Sequence, residues 1–420
     1  MRTNKVRGTM QRSRTRLLAG GIGALLVSGV GMAPAAAQTD GVPPAVGANE
    51  QAQLVALAKS YLEARTRSLL SDRSGRPLSK AAVAPVALSA GQQRVASAVD
   101  LYLAQSRQKL ASHKQRWISS ETTVLPTSVK QQPDGSVTAT VTEKTRLLFD
   151  RALDPEAPEA TEQSVDRVFT YVKTGGTWSI ADLDPGNAEQ SVAVNDAPRT
   201  ITEAAFEASP MSESPEYMYG APGPLSAADQ EEDQRVEPVT VHPPADAPED
   251  GSPIDDPQED TGAAAARLMA GYCYTCMVDY ATRYWENYNS RYRSWSTDCT
   301  NFVSQTMRAG GWAYDYGLYT NNANWWYNSL NQTRSWPAAE NFSRFAPKRT
   351  SWLSNVWKLK IGDVLLVDWD KNGNKNHAMV VTRKTSSMIY LSYHTTDTIN
   401  KPLTEVLRKD TTAWWYAART

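Results

Sequence analysis

The sequence predicts an α+β protein, and three observations carry that reading. Two helical stripes lead into alternating strands, an acidic Pro-rich stretch follows, and the C-terminal part joins one short helix to several apolar strand-like runs. The chain has 420 residues, enough for more than one domain. A formal net charge of -1 leaves no overall field to attract nucleic acid or an anionic membrane.

The start of the chain reads as an address. Arg2, Lys5, Arg7, Arg12, Arg14 and Arg16 precede an apolar, Gly-rich run from Leu17 to Ala33, and Ala35-Ala36-Ala37 supplies a small-residue cleavage pattern. This order is that of a secretory signal peptide over 1–37, so the mature chain is expected outside the cell or at its wall. No other run approaches spanning length, so no membrane span is expected after cleavage.

From 45 to 190 the pattern predicts a small α+β domain. Leu54, Leu57, Ala58, Tyr61 and Leu62 share one face of a helix over Gln51–Leu70. Val95, Val99, Tyr102 and Leu103 do the same over Gln92–Leu110. Val137, Ala139 and Val141 alternate with polar residues after Pro133-Asp134-Gly135, which marks a strand after a turn. Val168, Thr170 and Val172 run into Gly175-Gly176, and Trp178 and Ile180 return, which makes a hairpin. His113 reads as a solvated histidine at a helix end.

Residues 195–262 hold seventeen acids against two arginines among Pro, Ala and Ser, the composition of a disordered, self-repelling linker. The segment 263–420 differs again. It holds all of the thirteen tryptophans except Trp117 and Trp178. Most read as packing, with Trp325 and Trp326 placed as a groove wall for glycan or peptide. Without the linker this segment is expected to fold alone.

The chemistry lies in 263–420. Phe302, Val303, Thr306 and Met307 form one face of a helix that Gly310-Gly311 ends. Cys299 falls at the start of that helix, where unpaired backbone N–H groups and the helix dipole favour a thiolate and can hold an oxyanion. Cys273 and Cys276 form a C-x-x-C that either pairs with itself or stays as two thiols; export would leave Cys299 as the odd one. Two histidines are at hand as bases. His377 opens a strand-like run, Ala378 to Val381, and His394 closes the next, Met388 to Tyr393, after a turn at Thr385-Ser386-Ser387. On neighbouring strands His377 would take the thiol proton and His394 would orient its ring, with Asp397 and Asn400 as competitors for that third role.

The octet Asp298-Cys299-Thr300-Asn301-Phe302-Val303-Ser304-Gln305 with Gly310-Gly311-Trp312, then a Gly362-Asp363 turn into a strand, then the strand-opening His377, resembles the putative amidase domain family. That family is similar to the NlpC-type and CHAP cell-wall peptidases. The resemblance covers the C-terminal segment only. It implies a papain-like fold, a helix bearing the cysteine packed on an antiparallel sheet. It further implies Cys299 as nucleophile, His377 as base and His394 as third member, with Trp325, Trp326 and Asp298 expected at the substrate. No cofactor is expected. The implied substrate, given export, is an amide or peptide bond of peptidoglycan; the residues alone support acyl transfer by a thiolate. A papain-like protease acting on proteins and a non-catalytic wall-binding module are the alternatives. Asp368, Asp370, Asn372, Gly373 and Asn374 fit the start of a calcium loop, but Met379 stands where the bidentate acid belongs, so a polar hairpin loop is the expectation.

Overall fold

A computed structural model describes residues 46–184, 193–198, 201 and 271–420, all within one compact unit, Pro43–Thr420. The expected signal peptide over 1–37, and the expected linker apart from 195–198 and 201, lie outside the described residues.

The first helix, α1 (Ala48–Arg67), buries Leu54, Ala58, Tyr61 and Leu62, the stripe read from sequence. The second, α2 (Ala90–Ser112), starts where the Ser89 hydroxyl accepts from Gln92 N at 3.2 Å, and buries Val99, Tyr102, Leu103 and Leu110. Four strands follow: β1 (Trp117–Gln131), β2 (Val137–Phe149), β3 (Ala160–Thr174) and β4 (Thr177–Asp184). The β3–β4 pair turns at Gly175 and Gly176, both at positive φ, as the hairpin reading required. Burial along β2 alternates as its sequence does.

In the C-terminal segment come α3 (Tyr274–Tyr284), α4 (Cys299–Ala309), α5 (Ala339–Phe345), β5 (Ser351–Trp352), β6 (Val364–Asp368), β7 (His377–Lys384), β8 (Ile389–Tyr393), β9 (Asp397–Pro402), α6 (Leu403–Leu407) and β10 (Trp414–Arg419). Every strand pair is antiparallel. The order is β1-β2-β3-β9-β8-β7-β6-β10-β5, with β4 also on β3.

One sheet therefore runs through both segments, and the boundary drawn between 45–190 and 263–420 is not a boundary of the sheet. Glu162, Gln163 and Ser164 of β3 pair with Ile399, Thr398 and Asp397 of β9. Strand parity then sorts the C-terminal core into two faces. Val364, Leu366, Ala378 and Val380 join Phe302, Val303 and Met307 of α4. Leu365, Val367, Met379, Val381 and Tyr393 join Val99, Tyr102, Leu103 and Leu110 of α2. Because the second cluster covers the face that α4 leaves open, β6 and β8 are buried along their whole length. Their unbroken apolar runs follow from that double cover.

The residues placed at the start of the linker instead close a buried polar network. Arg167 on β3 donates to Glu143 Oε2 at 2.8 Å, to Asn195 Oδ1 at 3.0 Å and to Asp196. Arg65 reaches Asp196 at 3.0 Å, and Lys409 Nζ donates to its carbonyl. Burial pushes the Asp196 carboxyl up, but Arg167, Arg65 and Lys409 together hold it below the usual carboxylate range. His113 is not solvated; it is buried and stacks on Trp357 at 5.5 Å between centroids.

Candidate active site

The octet at the start of α4 is buried throughout, and its polar residues have specific partners. Asp298 sits at the helix N-cap without bonding to the helix amides. Its Oδ1 accepts from Trp295 N at 3.0 Å and from Asn301 Nδ2 at 2.9 Å. Asn301 Oδ1 in turn accepts from Trp336 Nε1 at 2.8 Å. Ser304 donates to the Trp336 carbonyl at 2.8 Å and accepts from Trp325 Nε1 at 3.1 Å, while Gln305 accepts from Tyr280. These bonds fix the helix start to the surrounding loops. Gly362 lets β6 begin close beneath α3: it has φ 87°, and a Cβ there would stand 2.5 Å from Tyr274 Cδ1. Asp363 closes the same turn, accepting from Lys360 N at 2.7 Å and Thr420 N at 3.1 Å.

Cys299 is the first residue of α4 and is 3% exposed. Cys273 and Cys276 are joined in a disulfide, so Cys299 is the free thiol of the chain. Burial pushes its thiol up; the polar groups of Thr300, the Ala378 backbone N–H and Thr395 around the sulfur oppose that.

The two histidines occupy opposite faces of the sheet. His377 pairs with Val367 and shares the parity of Met379 and Val381, the face turned away from α4. It is fully buried, lies edge-on to Tyr393 at 5.1 Å, and neither ring nitrogen has a hydrogen-bond partner among the described residues. Burial first, and the Lys401 charge second, push its pKa down to about 3, so the ring is neutral.

His394 lies on the other face. An extra residue, Thr382, bulges β7 between Val381 and Arg383. Continuing the Val380–Ser392 register by two residues sets His394 opposite Ala378, on the α4 side. There its ring is sandwiched between Phe302 at 4.2 Å and Tyr288 at 4.1 Å. Its Nδ1 lies 2.8 Å from Asp298 Oδ2 and its Nε2 2.8 Å from the Tyr284 carbonyl. Both partners are acceptors, and the ring bridges them. The hydrogen bond expected from His394 to His377 is absent, because the bulge sends the two side chains to different faces.

Asp397 accepts from Tyr288 Oη at 2.9 Å, and burial, the largest influence, pushes its carboxyl up to about 6. Asn400 is taken up in backbone support, with φ 55° and its Oδ1 accepting from Thr382 at 3.1 Å. Trp325 is no groove wall: it is fully buried against Trp312, Trp336 and Phe345. Trp326 is half-buried, its Nε1 donating to the Gly317 carbonyl at 3.0 Å. Asp298, expected at the substrate, is spent on His394. The Asp368–Asn374 segment is a hairpin loop in which Asp368 accepts from Gly373 N at 2.7 Å. Sequence reasoning did not find Thr395, Tyr288 or the Tyr284 carbonyl. The positive-φ turn between β8 and β9 that places Thr395 carries no glycine to announce it.

The segment that carries the helix-start cysteine, the Gly-Asp turn and the strand-opening histidine has a counterpart among known families. Residues 271–418 match the putative amidase domain. The family description indicates an amide-hydrolysing activity for that segment. Two curated relatives from Bacillus subtilis (strain 168) are similar to part of the chain. Uncharacterized protein YhbB is 31% identical over 112 residues, 26% of this chain and 36% of its own. Uncharacterized protein YjcM is 30% identical over 160 residues, 34% of this chain and 36% of its own. The match thus spans about a third of each relative's length. No solved structure matches the chain.

Proposed function

We propose that the chain is an exported, papain-like, cysteine-dependent amide hydrolase, with Cys299 attacking the amide carbon of a peptidoglycan peptide through a thioester. The observation that carries this reading is the position of Cys299 at the first residue of α4, facing the Ala378 N–H. A sulfur there has the helix amides and dipole beside it, which favour the thiolate and hold a developing oxyanion. His377 is the base by its chemistry: it is neutral, and both of its nitrogens are unengaged among the described residues. His394 has both ring nitrogens engaged, by the Asp298 carboxylate and the Tyr284 carbonyl. To reach the thiol, His377 must turn at the start of β7 from the Tyr393 side to the α4 side. Export and wall location rest on the basic, apolar, small-residue order of the first 37 residues.

The test is to digest purified muropeptides and an unrelated protein with the parent and with Cys299→Ala, and to identify products by mass. Cleaved muropeptide amides with the parent alone support the reading; equal products from Cys299→Ala refute it. One observation favours a second reading, a non-catalytic wall-binding module: burial holds the Cys299 thiol in its neutral form. A Cys299 that does not react with iodoacetamide at neutral pH, even with muropeptide present, decides for that module.

A further inference from the structure

The turn between β8 and β9 contains a residue in a conformation its chemistry resists. Thr395 has φ 92°. A β-branched side chain there is a steric outlier, and such strain costs on the order of 1–3 kcal/mol. Glycine or asparagine would relieve it. Strain of this kind persists where surrounding contacts over-determine it. Here the turn is held on both sides, by His394 clamped to Asp298 and Tyr284, and by Asp397 bonded to Tyr288.

The strained residue carries a buried hydroxyl. Thr395 Oγ1 has no hydrogen-bond partner of good geometry among the described residues. A buried hydroxyl left so costs about 1–3 kcal/mol unless something satisfies it. Thr395 follows His394 and Cys299 follows Asp298, and that pair is bonded at 2.8 Å, so the hydroxyl lies by the Cys299 sulfur, where it joins the Ala378 N–H and Thr300 in opposing the upward push of burial on the thiol. A neutral thiol is a weak acceptor; a thiolate is a strong one. Strain and an unsatisfied donor thus converge on the one free thiol.

We propose that Thr395 is a positioning residue whose hydroxyl donates to the Cys299 thiolate. The proposal rests on Cys299 as the nucleophile and names a group that readies it. The hydroxyl keeps its proton; its hydrogen bond shortens as the thiol proton leaves for a base, and the charge on sulfur is shared among the Thr395 O–H, the Ala378 N–H and the helix amides. The turn's strain is what holds the hydroxyl on sulfur rather than in solvent.

The test uses the full chain and the pH profile of Cys299 alkylation by iodoacetamide, read by mass. The other two cysteines are in the disulfide, so the signal is that of Cys299 alone. Thr395→Ser should keep the parent profile. Thr395→Val and Thr395→Ala should react about tenfold more slowly at pH 7, with the profile moved to higher pH, the effect of one lost hydrogen bond to a charge. Thr395→Gly should react as slowly as the alanine variant while its urea midpoint equals or exceeds the parent's, because the strain is gone. A valine or alanine profile matching the parent overturns the proposal. So does a glycine variant that loses stability in step with reactivity, since the role would then be structural. Hydrolysis by Cys299→Ala, run beside these, separates the two claims: activity surviving there refutes the nucleophile, whatever the alkylation profiles say of the hydroxyl.

Discussion

Replacing Arg167 with methionine should destabilise the whole chain, and the amount can be worked from its partners. The guanidinium is fully buried and serves Glu143, Asn195 and Asp196. Methionine fills much of the volume, so a cavity is not the main cost. The cost lies in what stays behind. Asp196 keeps Arg65 and Lys409. Glu143, fully buried, keeps hydrogen bonds from Thr145 at 2.7 Å and Asn195 at 2.6 Å but, among the ion pairs of the described residues, has no cation other than Arg167. Stranding one buried charge costs about 3–5 kcal/mol. Thermal unfolding of a chain this size should then fall by roughly 4–6 °C. Urea unfolding followed by circular dichroism gives the free energy directly. The double variant Arg167→Met, Glu143→Met should recover most of the loss, because no charge is left unpaired. A single variant within about 1 kcal/mol of the parent, or a double variant no better than the single, refutes the account.

Three further outcomes follow from the same structure. Residues 271–420 expressed alone should unfold without cooperativity in urea and bind a hydrophobic dye, because β9 loses β3 and the apolar cluster loses the side chains of α2; a cooperative transition at the parent's midpoint would show that the segment 271–420 stands alone. His377 has its pKa depressed to about 3 from about 6.5, so the stability its neutral ring contributes is present above about pH 6.5 and is lost as pH falls toward about 3; His377→Asn should unfold with a flatter pH dependence between those values, and an unchanged slope would contradict the burial argument. Trp325→Ala should cost about 3–5 kcal/mol in urea, and Trp326→Ala well under half of that; similar losses would mean both rings are core.

The parts of the fold legible in the sequence are those set by local pattern. The stripes of α1 and α2, the Gly175-Gly176 hairpin and the apolar runs of β6 to β8 each depend on residues within one element. β1 was hidden because it lies at the sheet edge, where only alternate contacts constrain it, and because Pro126 interrupts it at a register shift. The joining of β3 to β9 was hidden because no local signal marks which edges pair over two hundred residues apart. The acidic composition after 195 predicts no core, yet Asn195 and Asp196 belong to one; two polar residues that answer a buried arginine look no different in sequence from the start of a polar stretch. At the site, the cysteine and its helix were readable from the octet, but the pairing of the histidines turned on a single bulge residue, Thr382.

That bulge gives the two histidines opposite phenotypes. His394 faces Asp298 across 2.8 Å with both side chains about 1% exposed, and Asp298 Oδ2 has no other partner among the hydrogen bonds of the described residues. His394→Ala therefore leaves a buried carboxylate without its donor, opens a gap between Phe302 and Tyr288, and loosens the residue that caps the Cys299 helix. Its loss should appear first as stability, about 3–5 kcal/mol, with activity falling because the helix start is no longer held. His377→Ala removes a neutral ring that makes no hydrogen bond among the described residues. It forfeits packing against Tyr393 but also relieves two unsatisfied nitrogens, so its stability cost should be much the smaller of the two. If His377 is the base, that stable variant should nonetheless lose turnover, with substrate affinity little changed. Urea midpoints and muropeptide kinetics on both variants read the contrast. A stable His394→Ala with its turnover alone impaired, beside a His377→Ala of full activity, would assign the proton acceptor to His394 and require the Tyr284 carbonyl to release it during the reaction.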